Sequence, residues 1–134
     1  MSALKPGMVH EEELVVAEQH TAAHLGSGGV KVLATPVMVA LMEVAARNMV
    51  DPHLEPGFMT VGTGLEIKHL AATPLGMRVR ARAELVRVQG HRLEFKVEAF
   101  DEREKVGEGT HTRAIVNLKR FWDKLQTKVD YGLA

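Results

Sequence analysis

The chain has 134 residues, enough for one domain with a sizeable core and too few for two typical ones. An apolar content of 46% excludes extended disorder, and 17 basic residues against 17 acidic ones supply no field that would gather nucleic acid. The absence of cysteine excludes disulfides, thiol chemistry and cysteine metal sites, and no run approaches membrane-spanning length.

The opening residues carry no apolar signal core, so a cytoplasmic protein is expected. The histidines suggest no metal site, and no metal or redox cofactor is expected. A first strand is predicted over Glu12 to Glu18, followed by a helical turn at His20 to Leu25. Gly26-Ser27-Gly28-Gly29 reads as a flexible loop. Thr35 to Asp51 then predicts a long helix, with Thr35 as N-cap and Pro36 at the first helical position. Apolar residues cover almost every side, which predicts a helix wrapped by protein. Glu43 interrupts it between Met42 and Val44. A carboxylate in such a setting is costly unless it is paired or used. Arg47, four residues on, offers an ion pair as the structural alternative to a chemical role.

Strands dominate the rest. Met59 to His69 alternates with its odd positions inward, and His69 falls on that face at the strand's end. His69 is either a satisfied core histidine or a functional one. Gly62 and Gly64 strip side chains from one face and mark a bulge or a close approach of ligand to backbone. Two further strands flank Gln89-Gly90, read as a two-residue turn. Keeping their apolar faces together demands a bulge near Leu85-Val86, with Ala83 opposite Phe95 and Val79 opposite Ala99. Arg78, Arg80 and Arg82 read as a solvated stripe paired with Glu94 and Glu98, or as a grip for phosphates. A last strand, Val106 to Leu118, carries His111 and Arg113 on one face, and Lys119 to Lys128 closes as a short amphipathic helix. The fold class is α+β: about five antiparallel strands wrapped around one central helix, the hotdog architecture, spanning residues 1–134 as one domain.

Three stretches carry a family resemblance: ATPVMVALMEVAA from Ala34, TVGTGLEIKHLAATP from Thr60, and GEGTHTR from Gly107. In order and spacing they resemble the hotdog-fold acyl-CoA thioesterases, most closely the fluoroacetyl-CoA thioesterase-like group. The resemblance covers about residues 10 to 120. It implies hydrolysis of a short-chain acyl-CoA thioester, with CoA present only as part of the substrate. It implies Thr35, Glu43 and His69 as the catalytic trio and Gly62 at the thioester. Apart from the resemblance, His111 and Arg113 read as surface, interface or CoA contacts, and with Thr60 they complete the candidate substrate-binding set. The family's fluoroacetyl-CoA enzyme carries bulky aromatics in the loop before the helix. Here that loop is GSGGVKVLAT, which implies a different or larger acyl group.

Helix geometry adds an expectation. Thr35 and Glu43 lie about 12 Å apart along the axis and about 80° apart in direction, so they do not touch within one subunit. The resemblance favours a site that joins Thr35 of one chain to Glu43 of a two-fold mate, in a homodimer or a dimer of dimers. Two other readings stay open: a hotdog dehydratase or hydratase, and a non-catalytic acyl-CoA or small-ligand binding module.

Overall fold

The computed structural model describes residues 3–132. Five strands form one antiparallel sheet: β1 (Val9–Val15), β2 (Phe58–His69), β3 (Arg78–Gln89), β4 (Arg92–Phe100) and β5 (Lys105–Asn117), in the order β1-β3-β4-β5-β2. A single turn, α1 (Ala22–Leu25), precedes the long helix α2 (Thr35–Val50), and α3 (Leu118–Gly132) ends the chain. α2 lies across one face of the sheet, in the hotdog arrangement. Met38, Met42, Ala45, Ala46, Met49 and Val50 bury one side of it, against Val79, Ala81, Ala83, Leu85 and Phe95 from the sheet. Close approach is possible because β5 carries Gly107 there: a Cβ on it would lie 2.5 Å from the Met38 sulfur. The helix is not wrapped on every side, however. Ala40 is exposed and Val44 keeps 42% of its surface, so an apolar flank beside Glu43 is uncovered.

β1 begins and ends earlier than the predicted Glu12 to Glu18, because charge rather than apolar alternation holds it. Arg78 donates to Glu13 at 2.9 Å, Arg80 pairs with Glu11, and Glu12 accepts from Asn48 of α2 at 2.9 Å. The arginine stripe is thus a solvated one, but Arg78 and Arg80 face β1, and Arg82 alone reaches Glu98, at 3.6 Å. The β3–β4 bulge falls where expected, between Leu85 and Arg87, with Val86 as the extra residue. The register is two residues away from the expected one: Ala83 faces Val97 and Ala81 faces Ala99. The cause is the turn, which is Gly90-His91 rather than Gln89-Gly90; Gly90 adopts φ +60, which glycine takes without strain.

β2 also departs from simple alternation. A register shift between Gly62 and Gly64 divides it. Residues directly opposite in an antiparallel pair share a face. Before the shift Thr60 and Gly62 stand opposite buried Ile115 and Arg113; after it Leu65 and Ile67 stand opposite His111 and Gly109. The inward face is therefore even-numbered first and odd-numbered only afterwards. The bulge that the two glycines suggested is what delivers both Gly62 and His69 to the helix side. α3 is longer than the predicted Lys119 to Lys128, and its Trp122 remains 59% exposed. No helix among the described residues is long and apolar enough to cross a membrane.

Candidate active site

Two clusters form on the helix side of the sheet. The first sits at the start of α2. Thr35 is the first residue of the helix, and Ala34 occupies the N-cap position without any side-chain cap. The expected capping role of Thr35 is thus corrected. Its hydroxyl instead shares a 2.7 Å hydrogen bond with His69 Nδ1, from the end of β2. The other ring nitrogen, His69 Nε2, is buried with no hydrogen-bond partner. A buried polar atom without a partner is costly and calls for a function. A cavity of about 400 Å³ opens here, lined by Ala22, Ser27, Leu33, Thr35, His69 and Ala72. Val32 and Leu70 also line it, and its volume gives room for more than a two-carbon group.

The second cluster sits halfway along α2. Glu43 is half-buried, and its Oε2 would lie 2.9 Å from a Cβ placed on Gly62. The same point is 3.4 Å from His111 Cε1 and 3.6 Å from Arg113 Nη1. The glycine is what lets the carboxylate lie against the strand. The alternative reading of Glu43, an ion pair with Arg47, is not what forms: Arg47 Nε donates to Asp51 Oδ2 at 3.3 Å. Among the described residues Glu43 makes no direct ion pair, with Arg113 or any other cation.

The floor beneath Glu43 is a buried polar network. Arg113, only 5% exposed, donates from Nε to Thr60 Oγ1 (2.8 Å), from Nη2 to the Thr60 carbonyl (3.1 Å) and from Nη1 to His111 Nε2 (3.2 Å). A guanidinium can only donate. His111 Nε2 therefore accepts, its Nδ1 carries the proton, and Nδ1 donates to the Gly64 carbonyl at 2.8 Å. His111 is a neutral imidazole held edge-on to the site, with Phe95 stacked at 5.8 Å. Thr60 has its hydroxyl and carbonyl engaged within the protein and lies behind Gly62. Burial pushes the Arg113 guanidinium below its usual pKa, an effect opposed by the charges of Asp51 and Glu43.

Sequence patterns alone left His111 and Arg113 as surface, interface or ligand contacts; both are buried, at 1% and 5% exposure. Their inward direction was readable once β5 was paired with β4. Asp51 was missed altogether, because a helix-ending Asp-Pro looks like punctuation. One histidine pair, His20 and His24, has the four-residue spacing of a metal-binding helix. His20, however, accepts from the Ala17 amide at 2.9 Å, and no group of three ligating side chains gathers among the described residues. A larger hollow of about 600 Å³, lined by Glu66, Lys68, Lys96 and Glu108 among others, is an open charged surface away from both clusters.

Within one protomer the clusters stay separate. Thr35 and Glu43 do not meet, as helix geometry predicted, and six residues of strand stand between Gly62 and His69, about 20 Å. Thr35 and His69 form one half and Glu43, Gly62, His111 and Arg113 the other.

Burial also pushes the His69 and His111 imidazoles below their ordinary value of 6.5, in each case against an opposing backbone hydrogen bond. An unfolded chain then binds more protons than the folded one just below pH 6.5. Stability from this source is complete above that pH and is lost as pH falls from there through the lower folded values. The urea midpoint is expected to drop between pH 7.5 and 5.5, and the drop is expected to shrink in His111→Asn. The depressed carboxyls of Glu12, Glu98 and Glu108 act below their ordinary 4.5, in a separate window. A flat urea midpoint from pH 7.5 to 5.5 would contradict this burial argument.

The family model described as fluoroacetyl-CoA-specific thioesterase matches residues 16–119. The fluoroacetyl-CoA thioesterase of Streptantibioticus cattleyicolor is 43% identical over 102 residues, which cover 76% of this chain and 73% of that protein. A crystal structure of the fluoroacetyl-CoA thioesterase superposes with a TM-score of 0.87 at 37% identity, covering 94% of this chain and 98% of that one. A thioesterase superfamily member from Thermus thermophilus gives the same TM-score at 31% identity, covering 98% of this chain and 99% of its own.

Proposed function

The chain belongs to the fluoroacetyl-CoA-specific thioesterase family, and we propose that its two clusters are the halves of one hydrolytic site. It is an acyl-CoA thioesterase, hydrolysing a small acyl-CoA thioester to the free acid and CoA. Glu43 supplies the carboxylate. It either takes a proton from the attacking water as general base or attacks the carbonyl itself, giving a mixed anhydride that water then opens. The carbonyl oxygen gains charge in either route, and the backbone N–H groups around Gly62 are the donors to meet it, since the single hydroxyl hydrogen of Thr35 is given to His69 Nδ1. His69, oriented by Thr35 through Nδ1, presents Nε2 to the departing sulfur and protonates it. CoA enters as part of the substrate, and the scheme uses only the chain's own side chains.

The observation that carries this reading is the carboxylate of Glu43 lying against a glycine, with no direct ion pair among the described residues. The cation placed to pair with it along the helix, Arg47, is engaged by Asp51 instead. Two further features support a site completed by a two-fold mate. β2 is an edge strand of 12 residues whose Leu65 is 46% exposed, and the Val44 flank of α2 lies open beside Glu43. Long edge strands and apolar flanks of this kind are covered in natural proteins. In the dimer we propose, Thr35 and His69 of one copy face Glu43 of the other. The volume of the Thr35–His69 cavity and the glycine-rich Gly26–Gly29 loop favour an acyl group larger than a two-carbon one. The absence of cysteine suits a cytoplasmic setting.

The direct test is release of free CoA from a panel of acyl-CoAs, from two-carbon to branched and aromatic acyl groups. Turnover with one or more members is expected. Binding without turnover across the whole panel would instead place the chain among non-catalytic acyl-CoA modules.

A further inference from the structure

We propose that Asp51 is a positioning residue for Glu43, acting through Thr60 and Arg113. The inference rests on Glu43 being the hydrolytic carboxylate, and it adds a residue that never touches substrate. Asp51 ends α2, where its Oδ1 accepts from both the amide (3.2 Å) and the hydroxyl (2.5 Å) of Thr60. Its Oδ2 accepts from Arg47 at 3.3 Å. An ionised carboxylate only accepts, so the single hydroxyl hydrogen of Thr60 is committed to Asp51. The Thr60 lone pair is thereby turned toward Arg113 Nε, 2.8 Å away. The Thr60 carbonyl and His111 Nε2 take Nη2 and Nη1. Arg113 is thus locked in one plane, with Nη1 and the Glu43 carboxylate both bordering the space that Gly62 leaves free.

The charges explain why the lock matters. Arg113 is a buried cation with two carboxylates in its field, Asp51 and Glu43. Asp51 is committed to the network; Glu43 is not in direct ion-pair contact with any cation among the described residues. With Asp51 holding Thr60, the guanidinium is anchored away from Glu43, whose lone pairs stay available for water or carbonyl. Without the Asp51 charge, Glu43 becomes the main counter-ion of Arg113 and is drawn into a static pair. A shift of about 1 Å in a reacting group can lower turnover about a hundredfold.

The test uses the full chain and compares Asp51→Asn, Thr60→Val and Thr60→Ser. Steady-state CoA release is measured with an acyl-CoA that wild type turns over, alongside the Arg113 Nε–H resonance by ¹⁵N NMR and thermal unfolding. Asp51→Asn and Thr60→Val are expected to lose about tenfold to a hundredfold in kcat, with KM within about threefold, and to shift or lose that resonance. Thr60→Ser, which keeps the hydroxyl, is expected to recover most of both. A merely structural fastening of β2 to α2 would lower the melting temperature without separating Ser from Val in kcat, and that result would overturn the proposal. So would an unmoved Arg113 resonance in folded Asp51→Asn. Should Asp51→Asn not fold, the Val–Ser pair carries the comparison alone. Absence of CoA release by wild type would sink the hydrolytic reading, and an unmoved resonance would then sink the relay as a separate result.

Discussion

Replacing Glu43 with glutamine is expected to lower CoA release by about a thousandfold while the protein stays folded. General acid–base groups contribute about 10²–10⁴ in rate, and a carboxylate that also serves as nucleophile sits at the upper end. Glutamine keeps the length and shape of the side chain, so the contacts against Gly62 survive. It is also nearly as good a helix former as glutamate, and Glu43 lies on the half-buried side of α2 rather than in the core. Stability should therefore move by no more than about 0.5 kcal/mol. The measurement is kcat for CoA release beside a urea melt. Retained turnover would remove Glu43 from the chemistry and leave Thr35 and His69 as the only candidates. A loss of turnover matched by a loss of folded protein would say that Glu43 holds the fold. Arg47 gives that second outcome little physical basis, since its guanidinium is already engaged by Asp51.

Much of this site was readable from residue order because its signals are local. The α2 period, the Asp-Pro stop and the alternation of β3 and β4 are properties of single segments, and they placed Glu43 on a helix and His69 at a strand's end. What was not readable depends on pairing. The turn at Gly90-His91 shifted the β3–β4 register by two residues, since neighbouring turn frames have similar composition. Thr35 looked like a cap because threonine before proline is a good one. Only the arrival of His69 from 34 residues away shows that its hydroxyl has another partner. The bulge at Gly62–Gly64 changed which face of β2 looks inward, and with it turned Thr60 from a possible ligand contact into the second layer of the Arg113 network. Long-range hydrogen bonds of this kind leave no periodic trace. Asp51 is the clearest case: in sequence it is a helix stop, while in three dimensions it is the acceptor that orients Thr60.

Gly62→Ala is expected to cost about a hundredfold in CoA release with little change in stability. The added methyl would meet Glu43 Oε2 at 2.9 Å, closer than real Cβ contacts allow, with His111 Cε1 at 3.4 Å and Arg113 Nη1 at 3.6 Å behind it. His111 and Arg113 are fixed by hydrogen bonds to Gly64, Thr60 and each other, so neither gives way. Glu43 holds no such bond among the described residues, and its long side chain is the flexible party. The carboxylate is therefore what moves, by a displacement on the order of 1 Å, which is enough for a loss of that size. Gly62 is not in the left-handed region, so alanine adds no backbone strain there. Because the effect runs through Glu43, it should vanish in a Glu43→Gln background: the double variant should be no slower than Glu43→Gln alone, the non-additivity expected of groups that act as a unit. Multiplicative losses in the double variant would show instead that Gly62 acts separately, through its backbone N–H as an oxyanion donor or by admitting the thioester, and the close packing of Glu43 against it would then be incidental to the chemistry.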